Sequence, residues 1–293
     1  QCGINAQGVV QLAANPGGAP ANMAVAAARL GSRTAFIGKV GRDAFGDSLR
    51  KTLQENGVDT TAMQTDPVQP TTLAVVTLDA AGERSFSFYR NPGADTMLRT
   101  EEVPQAILEN TKFFHFGSVS LTADPERTAT LDAVHRAKKA GAIITFDPNY
   151  RANLWPDAKT AVAQIRAALP LTDILKVSDE EMTLLTGCTD PQEGSRRLTA
   201  MGIPLVLITL GADGACYRMG DCYGKVDGFA VKVADTNGAG DTFLGAFLSR
   251  IKVRESPAEL DDVKLREAVT FANKAASLTA SRPGAIPAMP TLQ

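Results

Sequence analysis

Short apolar runs alternate with amphipathic segments along most of this chain, and that alternation restricts the fold more than any other feature. Runs at 34–40, 113–117, 142–147, 174–177 and 205–210 have the length and composition of strands. Helical spacing recurs around them, at 21–30, 45–56, 125–140, 158–168, 191–201, 241–252 and 263–281. Near-continuous apolar strands are buried on both faces, and strands joined through helices run parallel. The expectation is therefore an α/β fold: a mostly parallel, doubly wound sheet with helices on both faces. Ligands bind such sheets beyond the carboxyl ends of the strands.

One region breaks the rhythm. Residues 73–78 and 84–89 flank a glycine-containing loop at 79–83 and read as a β-hairpin. No crossover helix attaches it to the main sheet, and residues 1–14 could add a strand to it. It is either a small separate sheet or an antiparallel extension of the main one.

Composition narrows the class. With 293 residues, 44% of them hydrophobic, the chain can bury a large α/β core. A net charge of −2 leaves no electrostatic footprint for nucleic acid. No apolar stretch approaches the ~20 residues a membrane helix needs, and no basic-then-apolar leader opens the chain. Cys2, Cys188, Cys216 and Cys222 form no Cys-x-x-Cys pair, so reduced thiols and a cytoplasmic location are expected. With His115 and His135 as the only histidines, a histidine-based metal site or triad is disfavoured.

Chemistry concentrates at Asp235-Thr236-Asn237-Gly238-Ala239-Gly240-Asp241-Thr242. Residues 229–233 before it alternate like a strand. Phe243, Leu244, Phe247, Leu248 and Ile251 after it recur at helical spacing. Small residues at such a turn let the N–H groups of the first helical turn face a ligand, and with the helix dipole they form an anion site. Asp241 is then a carboxylate at its mouth, suited to taking a hydroxyl proton during phosphoryl transfer. Two plainer readings stand beside this. Asp241 is also explained as a first-turn acid that suits the dipole. Gly238-x-Gly240 also begins a dinucleotide fingerprint, but Phe243 occupies the place of its third glycine.

A second segment, Pro16-Gly17-Gly18-Ala19-Pro20-Ala21-Asn22, runs into a small-residue helix. Adjacent glycines admit a ligand close to the main chain. Asn22 offers donors and an acceptor, which suits a polyol. Alone, the segment is equally a tight turn followed by a polar helix residue.

Together the two segments resemble the signatures of the ribokinase-like (PfkB-type) carbohydrate kinases: an early glycine pair ending in Asn and a late Asp-Thr-x-Gly-Ala-Gly-Asp. The resemblance spans nearly the whole chain. Phe36-Ile37-Gly38-Lys39-Val40-Gly41-Arg42-Asp43, Phe113-Phe114-His115-Phe116-Gly117-Ser118 and Phe146-Asp147-Pro148-Asn149-Tyr150-Arg151 look most like the fructokinase branch.

That resemblance implies roles for particular residues. Asp241 would be the catalytic base, with Gly238, Ala239 and Gly240 forming the anion hole. Gly17, Gly18, Asn22, Tyr89, Arg90, Arg151 and Asp241 would meet the sugar. Ser178, Glu181, Thr209, Gly211, Gly214, Gly238, Gly240 and Asn273 would surround ATP. Ser178 stands where the family has Asn, while Glu181 is kept and would act on Mg²⁺ through water. Asp235, Asn237, Arg282 and Gly284 correspond to loops that would hold K⁺, Arg282 through its carbonyl alone. Thr279 and Ala288 depart from the ribokinase pattern there.

The resemblance also implies a β lid from residues 1–11 and 71–90 on a kinase domain of 12–70 and 91–293, and a homodimer formed through the lid. The family's opening strand, with its sugar-binding Asp, has no counterpart before Pro16, so roughly 20 further N-terminal residues are expected. The implied reaction is ATP-dependent phosphorylation of a ketohexose at its primary hydroxyl, D-fructose to fructose 6-phosphate. A same-fold kinase for a nucleoside, aminoimidazole riboside, ribose or ketodeoxygluconate stays open. So does a catalytically inactive sugar-binding regulator. A nucleotide-binding oxidoreductase is disfavoured by Phe243, and a P-loop enzyme by the absence of Gly-x-x-x-x-Gly-Lys-Ser/Thr.

Overall fold

The structure, a computed structural model, describes residues 2–4, 7–78, 84–251 and 256–292. A short hairpin of β1 (Cys2–Ile4) and β2 (Val10–Leu12) leads to α1 (Ala19–Arg29), β3 (Thr34–Ala35), β4 (Gly38–Gly41), α2 (Ala44–Glu55), β5 (Val58–Asp59) and β6 (Met63–Asp66). A second hairpin follows, β7 (Leu73–Leu78) and β8 (Arg84–Tyr89). Then come α3 (Gln105–Glu109), β9 (Phe113–Gly117), α4 (Glu126–Lys139), β10 (Ile143–Asp147), α5 (Ala158–Ala168), β11 (Ile174–Ser178), α6 (Asp179–Thr186) and α7 (Pro191–Ala200). The chain closes with β12 (Leu205–Thr209), β13 (Ala215–Met219), β14 (Cys222–Val226), α8 (Ala239–Arg250) and α9 (Asp262–Ala280).

The main sheet has the order β14-β13-β12-β11-β10-β9. Strands β9 to β12 are parallel, and β13 and β14 close the edge antiparallel. The period of two in each strand sends neighbours to opposite faces. Ile144, Phe146, Leu175, Val177, Val206 and Ile208 pack with Ala133, Ala161, Met182 and Leu198 from α4 to α7. Ile143, Ile174, Leu205 and Leu207 pack on the other side with Phe243 and Phe247 of α8 and Leu265 and Val269 of α9. Each fully buried Leu, Ile or Phe contributes about 1.5–3 kcal/mol, so these two layers of side chains hold the sheet. The α/β expectation is met, with helices on both faces.

Helix starts are closed in different ways, and α3 and α4 begin at Pro104 and Pro125 without a side-chain cap. Asp43, Asp157, Ser178, Asp190 and Asp261 cap α2, α5, α6, α7 and α9 by accepting a first-turn N–H. Helices α1 and α8 instead begin at Gly18 and Gly238, with no side-chain cap. Their first N–H groups have no side-chain acceptor of their own, a state a ligand can complete.

Three local expectations change. The run at 34–40 is two strands, because its two halves pair with different partners: β3 with β5 and β4 with β6. Residues 229–233 form no strand. No neighbouring strand completes a ladder there, and Phe229, Val231 and Val233 are exposed instead of packed. The β13–β14 hairpin carries too weak an alternation to stand out in the sequence.

The β1–β2 and β7–β8 hairpins form antiparallel ladders of their own, and β1 lies against β7. Their pairing is not continuous with the main sheet. The loop at 79–83 and position 252, the expected end of α8, lie outside the described residues. No described helix is long and apolar enough to cross a membrane.

Candidate active site

A cleft of about 2000 Å³ runs along the whole of β9, between α1, α8 and the end of α3, and takes in the N-termini of α1 and α8. The two glycine-bearing segments meet there although they lie at opposite ends of the chain. Gly18 has φ 116°, a backbone that favours glycine, and open space surrounds the positions where Cβ atoms would lie on Gly17 and Gly18. Gly238 has φ 76° and sits against Ala285, so it also needs to lack a side chain.

Asp241 lies in the first turn of α8 and is 8% exposed. Its Oδ2 accepts from Asn22 Nδ2 at 2.8 Å, and its Oδ1 accepts from Asn149 Nδ2 at 3.2 Å. Two amides from different elements therefore hold both carboxylate oxygens. Burial, with the charge of Asp147, pushes the Asp241 pKa up to about 6; the Asn22 hydrogen bond, Lys176 and Arg151 work against that rise. A carboxyl with this pKa is ionised at neutral pH and is a far better base than an exposed aspartate. Asn22 is itself buried, and its Oδ1 has no hydrogen-bond partner. Buried acceptors are ordinarily satisfied, so this orphan lining the cleft leaves an acceptor that a ligand hydroxyl could complete.

Behind Asp241 lies a buried charge cluster. Lys176 Nζ pairs with Asp147 Oδ2 at 2.9 Å, both side chains being almost wholly enclosed. Burial disfavours the Lys176 charge, yet Asp147, Glu181 and Asp241 together hold its pKa above the ordinary value. His115, on β9, meets Thr145 Oγ1 at 3.1 Å, and burial pushes its pKa down to about 4, so it is neutral at physiological pH.

Ser178 and Glu181 form a capping box at the start of α6. Glu181 N–H donates to Ser178 Oγ at 3.1 Å, and Ser178 N–H donates to Glu181 Oε2 at 2.9 Å. Tyr150 N–H donates to Glu181 Oε1 at 2.7 Å, which ties α6 to the segment after β10. Burial and Asp147 raise the Glu181 pKa. The Ser that replaces the family's Asn thus has a local task as an N-cap.

Further along the sheet, Thr209 ends β12, and the turn at Gly211 and Gly214 leads into β13. A Cβ on Gly214, at φ 88°, would lie 2.1 Å from the Val226 carbonyl oxygen, so this turn closes only on glycine. Asn273 of α9 donates to the carbonyls of Val226 and Asp227 at 3.0 and 3.2 Å. The amide fixes the loop after β14.

Asp235 joins two loops. It accepts from Asn237 N–H at 2.9 Å and from Gly284 N–H at 3.0 Å, drawing 235–237 and 284 together. Arg282 N–H bonds Thr279 O at 3.3 Å in the same turn. Any hard cation here would be met by carbonyl oxygens of these loops, since the N–H groups are turned to Asp235 and Thr279. No cluster of three or more Asp, Glu, His or Cys able to hold a metal ion occurs among the described residues. A Mg²⁺ held by one carboxylate through water and by substrate phosphates would need none; both oxygens of Glu181 here accept backbone N–H bonds.

Of three residues expected at the sugar, Arg90 and Arg151 line the cleft and Tyr89 does not. Tyr89 is 65% exposed and points away from the cleft, because strand alternation turns Phe88 inward in its place. Arg90 lines the cleft, but its guanidinium is held by Asp95 at 2.5 Å, Glu126 at 2.7 Å and Thr122 at 2.7 Å. It ties the end of β8 to α4. Arg151 borders the cleft with its side chain exposed and one bond to Tyr150 O. Asn149, Asp147 and Lys176 were not singled out by role in the sequence. The one signal was Asn149 after Asp147-Pro148 at a strand end, where it takes φ 43°.

Comparisons with known proteins agree with this geometry. The model of the pfkB family carbohydrate kinases matches residues 5–292. The chain is 45% identical to probable fructokinase-2 of Arabidopsis thaliana over 277 residues, 94% of this chain and 84% of that one. Fructokinase from Vibrio cholerae O395, solved with fructose, ADP and calcium ion, superposes with a TM-score of 0.88 at 38% identity, covering 98% of this chain and 92% of that one. Aminoimidazole riboside kinase from Salmonella enterica gives a TM-score of 0.82 at 33% identity, covering 94% and 88%. Two glycine-headed helices aimed at one buried aspartate, on a sheet shared at this level of identity, place the chain in the pfkB family of carbohydrate kinases.

Proposed function

We propose that this protein is an ATP-dependent fructokinase, transferring the γ-phosphate to the primary hydroxyl of D-fructose to give fructose 6-phosphate. The observation that carries the reading is Asp241, buried, clasped by Asn22 and Asn149, and raised to a pKa of about 6 beside the uncapped turn of α8.

The orphan Oδ1 of Asn22 accepts a sugar hydroxyl, and Gly17 and Gly18 let the sugar lie close to the main chain. The primary hydroxyl donates to Asp241. As its oxygen bonds to the γ-phosphorus and the bond to the leaving ADP oxygen breaks, Asp241 takes the proton. The N–H groups at 238–240 face the charge that grows on the phosphoryl oxygens. Thr209, Gly211 and Gly214, with the loop fixed by Asn273, border the nucleotide. Mg²⁺ held through Glu181 and water would neutralise phosphate charge when bound. K⁺ at the Asp235 loops would steady the turn leading into Gly238. The β1–β2 and β7–β8 hairpins, residues 1–11 and 71–90, act as a lid over the domain of 12–70 and 91–293. Exposed Val9 and Tyr89 give the lid an apolar surface for a second copy.

The 33% identity with an aminoimidazole riboside kinase keeps a riboside acceptor as the second reading. ADP release measured across fructose, aminoimidazole riboside, ribose and ketodeoxygluconate decides between them. Fructose should give the highest kcat/KM. A higher value for the riboside would replace the first reading with the second, and no turnover with any acceptor would leave a sugar-binding regulator.

A further inference from the structure

Gly240 poses a question that its backbone does not answer. It is the second residue of α8 and is not among the glycines with positive φ. The space around it does answer: a Cβ there would lie 3.0 Å from Lys176 Nζ. The first turn of α8 thus rests directly on a buried ammonium. That placement is unfavourable in itself, because a helix N-terminus already carries about half a positive charge. Asp147 at 2.9 Å neutralises the lysine, and Glu181 and Asp241 also face it. Arg151 adds positive charge from the rim of the cleft. An anion on the outer side of the turn meets the helix N-terminus first and the ammonium behind it, whose field the surrounding carboxylates reduce without cancelling at that side.

We propose that Lys176 is a positioning residue that works through this turn. Its ammonium, set beneath Gly240, strengthens the anion-binding N–H groups at 238–240, favours the γ-phosphate of a bound nucleotide and stabilises the charge that builds during transfer. Asp147 keeps the ammonium in place. Gly240 is small so that the helix can approach it. The proposal rests on the kinase reading above.

The test compares Asp147→Asn with the double variant Asp147→Asn/Lys176→Met. Both lack the ion pair and differ in the cation alone. Each is titrated by calorimetry, in Mg²⁺ and without sugar, against ADP and against the β,γ-imido analogue of ATP. Adding the Lys176 change should lower the preference for the γ-phosphate-bearing analogue over ADP by at least threefold. It should lower kcat by about tenfold, less than the 10²–10³ typical of a directly contacting donor, with KM for fructose unchanged. Equal preference and equal kcat in the two variants would overturn the proposal, since Lys176 would then do no more than neutralise Asp147. If the double variant does not fold, Lys176→Gln keeps a hydrogen bond to Asp147 without the charge, and the same comparison is made with the wild type. A wild type that phosphorylates no sugar would defeat the kinase reading, while the nucleotide preference would still decide the role of Lys176.

Discussion

Asp241→Asn should stabilise the protein progressively as pH rises, while removing most of its turnover. The folded pKa of about 6 stands about two units above the ordinary 3.8. Each unit corresponds to about 1.4 kcal/mol, so the ionised Asp241 costs the folded state about 3 kcal/mol at neutral pH. The sign follows from proton binding. Between the two pKa values the folded chain binds more protons at this site than the unfolded chain, so stability falls as pH rises through that window and levels off above it. Asparagine has no such dependence. It still accepts from Asn22, but presents an amide to Asn149 where the carboxylate presented an acceptor, a loss of about 1 kcal/mol that does not vary with pH. The stability difference between variant and wild type should therefore grow by about 2–3 kcal/mol from about pH 4 to about pH 7, whatever its starting value. Urea unfolding of both proteins at several pH values measures it directly. A difference that stays flat across this range would refute the premise that Asp241 is a desolvated, raised carboxyl. Turnover should fall by about 10²–10⁴ in the variant, as for loss of a general base.

Three further outcomes are expected. In the wild type, kcat/KM should drop about tenfold per pH unit below about pH 6 as Asp241 protonates, and a limb that tracks an ordinary carboxylate near pH 4 would show that another group takes the proton. Asn22→Ala should weaken fructose binding by about 0.5–3 kcal/mol and leave ATP binding unchanged in calorimetry; the reverse pattern would mean that the sugar and nucleotide ends of the cleft are exchanged. Hydrogen exchange across 71–78 and 84–90 should slow when fructose binds, because a closing lid excludes water from the transferred phosphate; unchanged protection at saturating fructose would make the hairpin a static element.

The alternation of apolar runs and helices was enough to establish an α/β fold with helices on both faces, because burial on two sides leaves a continuous apolar strand and little else does. The glycine motifs at 17–18 and 238–240 were legible for a similar reason: backbone that must approach a ligand or take a left-handed φ admits few other residues. Strand 229–233 was misread because alternation records an extended chain and says nothing of whether a partner strand lies beside it. The exposure of Tyr89 beside inward-facing Phe88 turned on one residue of register, which local pattern leaves open. The confinement of Arg90 by Asp95 and Glu126 turned on long-range packing of the same kind. Lys176 and Asn149 looked like ordinary residues at strand ends. Their part in the site exists because folding sets α8 against β10 and β11, which brings Asn22, the Asp147–Asn149 segment and Lys176 from three separate stretches of chain around one buried carboxylate. The sequence carried the types of residue the chemistry needs, but desolvation and distance depend on what surrounds a group in space, and these set the charge and basicity of Asp241 only once the tertiary structure had closed around it.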